Sequence, residues 1–480
     1  MNKILTILSG TLFYLLLALT QASCDTPSSP LPGESSEESA IDSDNDGIID
    51  IEDLDDDNDG TLDLVDEFPF DPNRQQPHQE LIRGPYLQMS TNTGMTIKWR
   101  TDNKLNSVVY YGQNPYKLDQ SAAQFEPTTE HSISLTNLAP NTLYYYEVGT
   151  STYKLTGNIH TSFFKTSSPA NSSEPTRIWV IGDSGNASQS QANVYDAFKA
   201  YSQNSRTDLF ILLGDIAYPD GTDNEFRRAF FNVYPDLIRS SPAWPTFGNH
   251  DANSADSITE SGPYYDIFTL PRMAEAGGLA SGTESYYSFD YGNIHFIVLD
   301  SSESDRNRFG PMITWMENDL RQTSSDWIIA YWHHPPYSKG SHDSDAESPL
   351  IQMRENALPI LEEYGVDLIL SGHSHSYERS HFISGHYGSS ESFDSSEHII
   401  QEDDHIYSKS ILKSPNDGTI YAVVGSSGKV TGSGLLDHPA IHTSHKSLGS
   451  LVIDINKVEL KANFIDDKES LLDYFRIIKR

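Results

Sequence analysis

Five times between residues 177 and 375 an apolar run ends by delivering Asp, Asn or His. The runs are Arg177-Ile-Trp-Val-Ile-Gly-Asp183, Leu209-Phe-Ile-Leu-Leu-Gly-Asp215, Trp244-Pro-Thr-Phe-Gly-Asn249, Trp327-Ile-Ile-Ala-Tyr-Trp-His333 and Leu368-Ile-Leu-Ser-Gly-His-Ser-His375. Continuous apolar runs of this length predict strands buried on both faces, as in parallel sheets. Between them, apolar positions recur at helical spacing over 188–203 and 349–364, which predicts amphipathic helices. Strands alternating with helices from 175 to 480 predict an α/β domain.

Residues 80–167 have a different rhythm. Met95-Thr-Ile-Lys-Trp-Arg100, Ser107-Val-Val-Tyr-Tyr111, His131-Ser-Ile-Ser-Leu135 and Leu143-Tyr-Tyr-Tyr-Glu-Val148 are short β-rich runs, separated by turn signals such as Ala139-Pro-Asn141. This pattern predicts a fibronectin type III-like β-sandwich. No catalytic cluster falls within it, and residues 168–175 read as a short Ser/Pro linker.

Before residue 80 the chain is neither. Residues 1–23 carry Lys3 near their start, continue apolar and end in small residues, which predicts a secretory signal. Cys24, the only cysteine, stands where a bacterial lipoprotein is lipidated, although Gln21 occupies a position where Leu is usual. Plain secretion is the alternative. Residues 24–41 are rich in Ser, Pro and Glu and predict a disordered tether. Residues 42–73 repeat DxDxDG: Asp42, Asp44, Asp46 and Gly47, then Asp55, Asp57, Asp59 and Gly60, with Asp50 and Asp63 closing each unit. Alternate carboxylates around a Gly turn suit a hard cation with six to eight oxygen ligands. The stretch resembles thrombospondin type 3 repeats, and the resemblance implies calcium on these eight aspartates.

Charge sharpens this division. The 480-residue chain has a formal net charge of −36, and residues 25–73 contribute 18 Asp/Glu and no Lys/Arg. Such acidity argues against nucleic acid and anionic membrane surfaces as partners. With Cys24 alone, the folded region has no disulfide and no thiolate metal site.

In α/β sheets the ligand site lies beyond the carboxyl ends of the strands. Five such ends here offer carboxylate, amide oxygen and imidazole and no sulfur, a set suited to iron, zinc or manganese. The ligands are too many for one ion, so two ions sharing the Asp215 carboxylate is the economical count.

The combination of DSG at 183–185, GDIAY at 214–218, GNHD at 248–251, a His before His-Pro-Pro-Tyr at 334–337, and GHSH at 372–375 resembles the purple acid phosphatases of the metallophosphoesterase superfamily. Gly84-Pro-Tyr-Leu-Gln88 resembles the start of their N-terminal domain. The resemblance implies a first metal held by Asp183, Asp215, Tyr218 and His375. It implies a second held by Asp215, Asn249, His333 and His373. A Tyr218 phenolate favours Fe(3+) in the first site; the second suits Zn, Mn or Fe(2+).

The implied reaction is hydrolysis of small phosphate monoesters by metal-activated water at acid to neutral pH, outside the cytoplasm. His250 is expected to protonate the leaving group, Asp251 to orient or charge that ring, and His342 to touch the substrate phosphate. His334 is expected to stand behind the ligands. Two alternatives stay open: a phosphodiesterase or nucleotide-directed enzyme on the same metals, and a calcium-dependent adhesion or binding protein.

Overall fold

The computed structural model describes residues 41–60, 62–63, 69–72, 81–156, 161–170, 172, 174–203 and 205–480. The expected signal, Cys24 and the tether to residue 40 lie outside the described residues. The chain divides into two units, Met1–His78 and Gln79–Arg480.

In the first unit the two acidic repeats use one hydrogen-bond scheme. Asp42 accepts from Gly47 N at 3.1 Å, and Asp55 from Gly60 N at 3.0 Å. Asp44 accepts from Asp46 N, and Asp57 from Asp59 N. Asp50 and Asp63 each accept from a backbone N–H seven residues earlier, at Ser43 and Asp56. The carboxylates of Asp42, Asp44 and Asp46 converge, as do those of Asp55, Asp57 and Asp59.

The second unit opens with β1 (Leu81–Gln88), β2 (Met95–Gly112), β3 (Gln120–Leu135), β4 (Leu143–Gly149) and β5 (Phe163–Lys165). Two of the expected short runs, 95–100 and 107–111, are one 18-residue strand, β2. Its register shifts between Arg100 and Ser107. Its first half therefore pairs with β1 and its second with β4, while β3 follows both. All five strands form one hydrogen-bonded sheet in place of the two that a sandwich of fibronectin type III kind implies. Leu87, Ile97, Trp99, Val109, Ile133, Tyr146 and Phe164 close it on one core. β1 docks onto the rest of the unit: Tyr86 is buried and its hydroxyl donates to Ile267 O at 2.9 Å, and Gln88 Nε2 donates to Ala243 O at 3.2 Å.

The remaining strands are β6 (Thr176–Ile181), β7 (Leu209–Leu212), β8 (Ala243–Pro245), β9 (Tyr287–Tyr291), β10 (Ile294–Val298), β11 (Trp327–Tyr331), β12 (Leu368–Ser371) and β13 (Tyr377–Ser380). A two-stranded ribbon follows, β14 (Phe382–Ile383) with β15 (Ile399–Gln401). Last come β16 (Ile406–Lys409), β17 (Ile420–Val424), β18 (Ile441–His445), β19 (Gly449–Ile455), β20 (Glu459–Asp466) and β21 (Leu471–Lys479).

Two seven-stranded sheets result, ordered β16-β21-β20-β19-β6-β7-β8 and β18-β13-β17-β12-β11-β10-β9. β6, β7 and β8 run parallel in the first, and β10, β11, β12 and β17 in the second. Alternation along the strands divides the burial. Phe296, Ile329, Tyr331 and Leu370 join Val180, Leu451 and Ile453 of the other sheet in one core. Ile297, Ile328, Ala330 and Ile369 face the opposite way, onto the helices Pro311–Leu320 and Leu358–Glu363. Both faces of the second sheet are thus apolar, which is why its strands read as unbroken runs.

The expected helix over 188–203 spans Gln189–Ser202, with Ser188 accepting from Gln191 N as its cap. The single helix expected over 349–364 is two, Ser348–Asn356 and Leu358–Glu363, parted at Ala357. Pro359 has no N–H to donate to the carbonyl four residues back, so the ladder breaks there.

One buried charge cluster lies away from the strand ends. His295 on β10 donates Nδ1–H to Asp290 and Nε2–H to Asp319, each at 2.7 Å. Burial opposes its charge, but the two carboxylates outweigh burial and raise it to about 9. A raised folded value favours the folded state fully below the unfolded value of about 6.5, and this is lost as pH rises through about 9. Melting temperature is therefore expected to fall between pH 6.5 and 9 more steeply for the wild type than for His295→Gln. Parallel curves from calorimetry across that window contradict the assignment.

Candidate metal centre

The parallel strands of both sheets end on a shared cleft. β6, β7 and β8 bring Asp183, Asp215 and Asn249; β11 and β12 bring His333, His373 and His375. The turn after β7 is forced through Gly214 at φ +86°, where a Cβ would stand 2.6 Å from His333 Nδ1. Asp183, Asp215 and His373 themselves adopt left-handed backbone, with φ of 54°, 52° and 64°. Non-glycine residues occupy this region at a cost, and such cost concentrates at functional sites.

Tyr218 Oη lies 2.8 Å from Asp215 Oδ2, 3.2 Å from Asp183 Oδ1 and 3.4 Å from His375 Nε2. The second group gathers on His333, whose Nε2 lies 3.0 Å from Asn249 Oδ1, 3.2 Å from His373 Nδ1 and 3.5 Å from Asp215 Oδ1. Asp215 turns one oxygen to each group. The two groups bring together the residues that the family resemblance assigns to two ions.

The donor chemistry fits cations. His333 Nδ1 lies 2.8 Å from Leu213 O, which only accepts, so Nδ1 carries a hydrogen and Nε2 is the ring atom turned to the site. That nitrogen faces an amide oxygen and a carboxylate. Oxygen and nitrogen ligand types gathered this closely in a buried site suit a cation between them. The two buried carboxylates also crowd each other. Burial and Asp215 push Asp183 up to about 7, although His333 opposes them. Burial also opposes the Asp215 charge, but His333 and His250 hold that carboxyl below its ordinary range. Burial and both carboxylates push the Tyr218 phenol far above its ordinary value. Burial lowers His373 and His375 to about 4, which leaves both rings neutral and able to ligate.

His250 stands at the rim. Its Nδ1 lies 2.6 Å from Pro219 O, so that nitrogen donates and Nε2, 3.9 Å from Asp215 Oδ2, turns to the cleft. Asp251 does not meet this ring, contrary to expectation. It is fully buried and accepts from the backbone N–H groups of Ile216, Ala217 and Gly248. Those donors belong to the turns carrying Asp215 and Asn249, so the carboxylate is spent on holding the two loops. His334, also buried, meets Ser301 Oγ at 2.9 Å through Nδ1 and packs against His373.

The His342 ring packs at a tilt against the His373 ring, with centroids 3.7 Å apart. Glu347, which carries no motif, holds both: its carboxylate lies 2.9 Å from His342 Nδ1 and 3.3 Å from His373 Nε2. The His373 hydrogen bond, aided by His342, lowers Glu347 to about 2. Partners behind a ligating His are worth about 10–100-fold in metal affinity or activity. Glu347→Ala is therefore expected to lower kcat/KM about 10–100-fold, with Glu347→Gln intermediate. Steady-state kinetics at saturating metal separates this from simple metal loss. Thr431, equally silent in the sequence, hydrogen-bonds His375 Nδ1.

Comparison with known proteins agrees with this architecture. Residues 83–166 match the family "Purple acid Phosphatase, N-terminal domain", and residues 176–377 match "Calcineurin-like phosphoesterase". Purple acid phosphatase 15 of Arabidopsis thaliana is 29% identical over 335 residues, covering 60% of this chain and 60% of its own. Purple acid phosphatase 22 of the same plant is 28% identical over 310 residues, 61% of this chain and 66% of its own. The chain thus spans about 60–66% of the length of these relatives. The fold of purple acid phosphatase PPD1 from yellow lupin (Lupinus luteus) seeds superposes with a TM-score of 0.64 at 18% identity, covering 83% of this chain and 75% of that one. The protein thus carries, in one chain and in this order, an N-terminal domain of purple acid phosphatase type and a calcineurin-like phosphoesterase domain, and it is similar to the purple acid phosphatases across both.

Proposed function

We propose that the protein is a binuclear metal-dependent acid phosphatase acting on small phosphate monoesters. The observation that carries this reading is the gathering of phenol, amide and imidazole groups around the two oxygens of the buried Asp215. Asp183, Asp215, Tyr218 and His375 would hold the first ion, with the phenol favouring Fe(3+). Asp215, Asn249, His333 and His373 would hold the second, as Zn, Mn or Fe(2+). Bound there, such ions supply Lewis acidity toward phosphoryl oxygens and a nucleophile from water near neutral pH.

The protein's own groups do the rest. Left-handed turns after three strands fix the ligands before substrate arrives, so little reorganisation remains. Asp251 ties the Asp215 turn to the Asn249 turn. His250 presents Nε2 to the cleft and gives a proton to the leaving oxygen as the P–O bond breaks. His342, held by Glu347, faces the substrate phosphate.

The same proposal assigns calcium to Asp42, Asp44, Asp46, Asp50, Asp55, Asp57, Asp59 and Asp63. It places the enzyme outside the cytoplasm by the signal at 1–23, secreted or lipid-anchored at Cys24. No helix among the described residues is long and apolar enough to cross a membrane.

The test is metal analysis and a visible spectrum of purified protein, followed by turnover of a phosphate monoester and its matching diester. Two transition metals, a visible band and a monoester preference are expected. Protein loaded with two metals that hydrolyses no phosphate ester between pH 4 and 8 sinks the proposal.

A further inference from the structure

A sixth strand end reaches the centre. β17 runs parallel to β12 and continues into Gly425-Ser-Ser-Gly-Lys-Val-Thr431. Its loop is pinned from several sides. Ser427 N donates to Gly182 O at 3.2 Å, and Ser427 Oγ donates to Gly449 O at 2.9 Å. Asn186 Nδ2 donates to Gly428 O at 2.7 Å. A Cβ on Gly428 would lie 2.6 Å from Asp183 O, so only glycine lets this backbone lie against that of Asp183.

The next residue is Lys429. Its Nζ stands 4.0 Å from the centroid of the Tyr218 ring. Lys339, also near the cleft, is neutralised by Asp343 and Asp345. Lys429 forms no ion pair with any described residue. In a chain of net charge −36, an unpaired ammonium is seated on the one phenol of the centre.

An ammonium near an aromatic face is attracted to its electrons, and more strongly when the ring is anionic. We infer that Lys429 is a positioning residue for Tyr218, whose charge over the ring sets the energy of the ring electrons in the metal-loaded protein. The inference rests on the phenolate assignment under Proposed function.

The consequence is spectroscopic. Removing the cation raises the energy of the phenolate electrons and narrows the gap to ferric iron. The full-length, metal-loaded protein is compared with Lys429→Met, Lys429→Gln and Lys429→Arg, with Tyr218→Phe as reference. The two uncharged variants are expected to shift the visible band to longer wavelength at unchanged iron content. Their kcat for a monoester should change more than KM, and Lys429→Arg should restore both. An unshifted band in both uncharged variants overturns the inference. So does a rise in KM confined to substrates bearing a second phosphate, which would assign the ammonium to substrate. A wild type without a visible band, or one whose band survives Tyr218→Phe, removes the phenolate assignment itself. An unshifted band in the Lys429 variants alone leaves that assignment standing.

Discussion

Asp215→Asn is expected to lower kcat/KM for a phosphate monoester by about 10³-fold or more, roughly 4 kcal/mol of transition-state stabilisation. The substitution keeps size and shape at a fully buried position and removes one charge. Oδ2 faces Tyr218 at 2.8 Å, and Oδ1 faces His333 at 3.5 Å. A single amide cannot give both groups an anionic oxygen. Metal content should fall below two ions per chain. A ligand that binds only the folded state adds RT ln(1 + [L]/Kd) to stability. The wild-type melting temperature should therefore drop on chelation, while the variant's should hardly respond. Wild-type metal content with wild-type turnover in Asp215→Asn removes the shared-carboxylate assignment.

His250→Ala has the next largest effect, and its size depends on the substrate. General acid catalysis by one positioned side chain is worth about 10²–10⁴-fold. It matters only where the leaving oxygen needs the proton. His250 donates through Nδ1 to Pro219 O, so Nε2 is the nitrogen left for the substrate. An alkyl phosphate should lose about 10²-fold or more in kcat. A nitrophenyl phosphate, whose leaving group departs as a stable anion, should lose much less. The ratio of the two losses is the measurement. Equal losses on both substrates would reassign His250 to binding.

What the sequence reveals follows from how the chain is buried. Ile328-Ile-Ala330 and Leu368-Ile-Leu370 read as strands because one face packs on the other sheet and the other on helices. Side chains just past such runs stand at strand ends, so the gathering of Asp183, Asp215, Asn249, His333, His373 and His375 is legible in spacing alone. Loops carry no such period. Glu347 lies in a polar segment with nothing to mark it, and Lys429 and Thr431 follow a strand whose loop offers no ligand type. Asp251 misleads for a related reason. Adjacency to His250 suggests a pair, but the backbone turns its carboxylate inward onto N–H groups that no sequence pattern displays. The 18-residue β2 reads as two strands because its middle, Thr101-Asp-Asn-Lys104, is polar. The helix break at Ala357 is legible in Pro359, and the amphipathic period conceals it.

The ligands come from two sheets, Asp183, Asp215 and Asn249 from one and His333, His373 and His375 from the other. The layer of side chains between those sheets is therefore a spacer as well as a core. Leu370 and Ile453 lie within it. A methylene trimmed there lets the sheets settle closer or slide. Well-packed interiors transmit such shifts rather than absorb them. The mouth of the cleft then acts as a caliper on the packing behind it. Drift in a core that touches no substrate is read out as a change in the spacing of the centre.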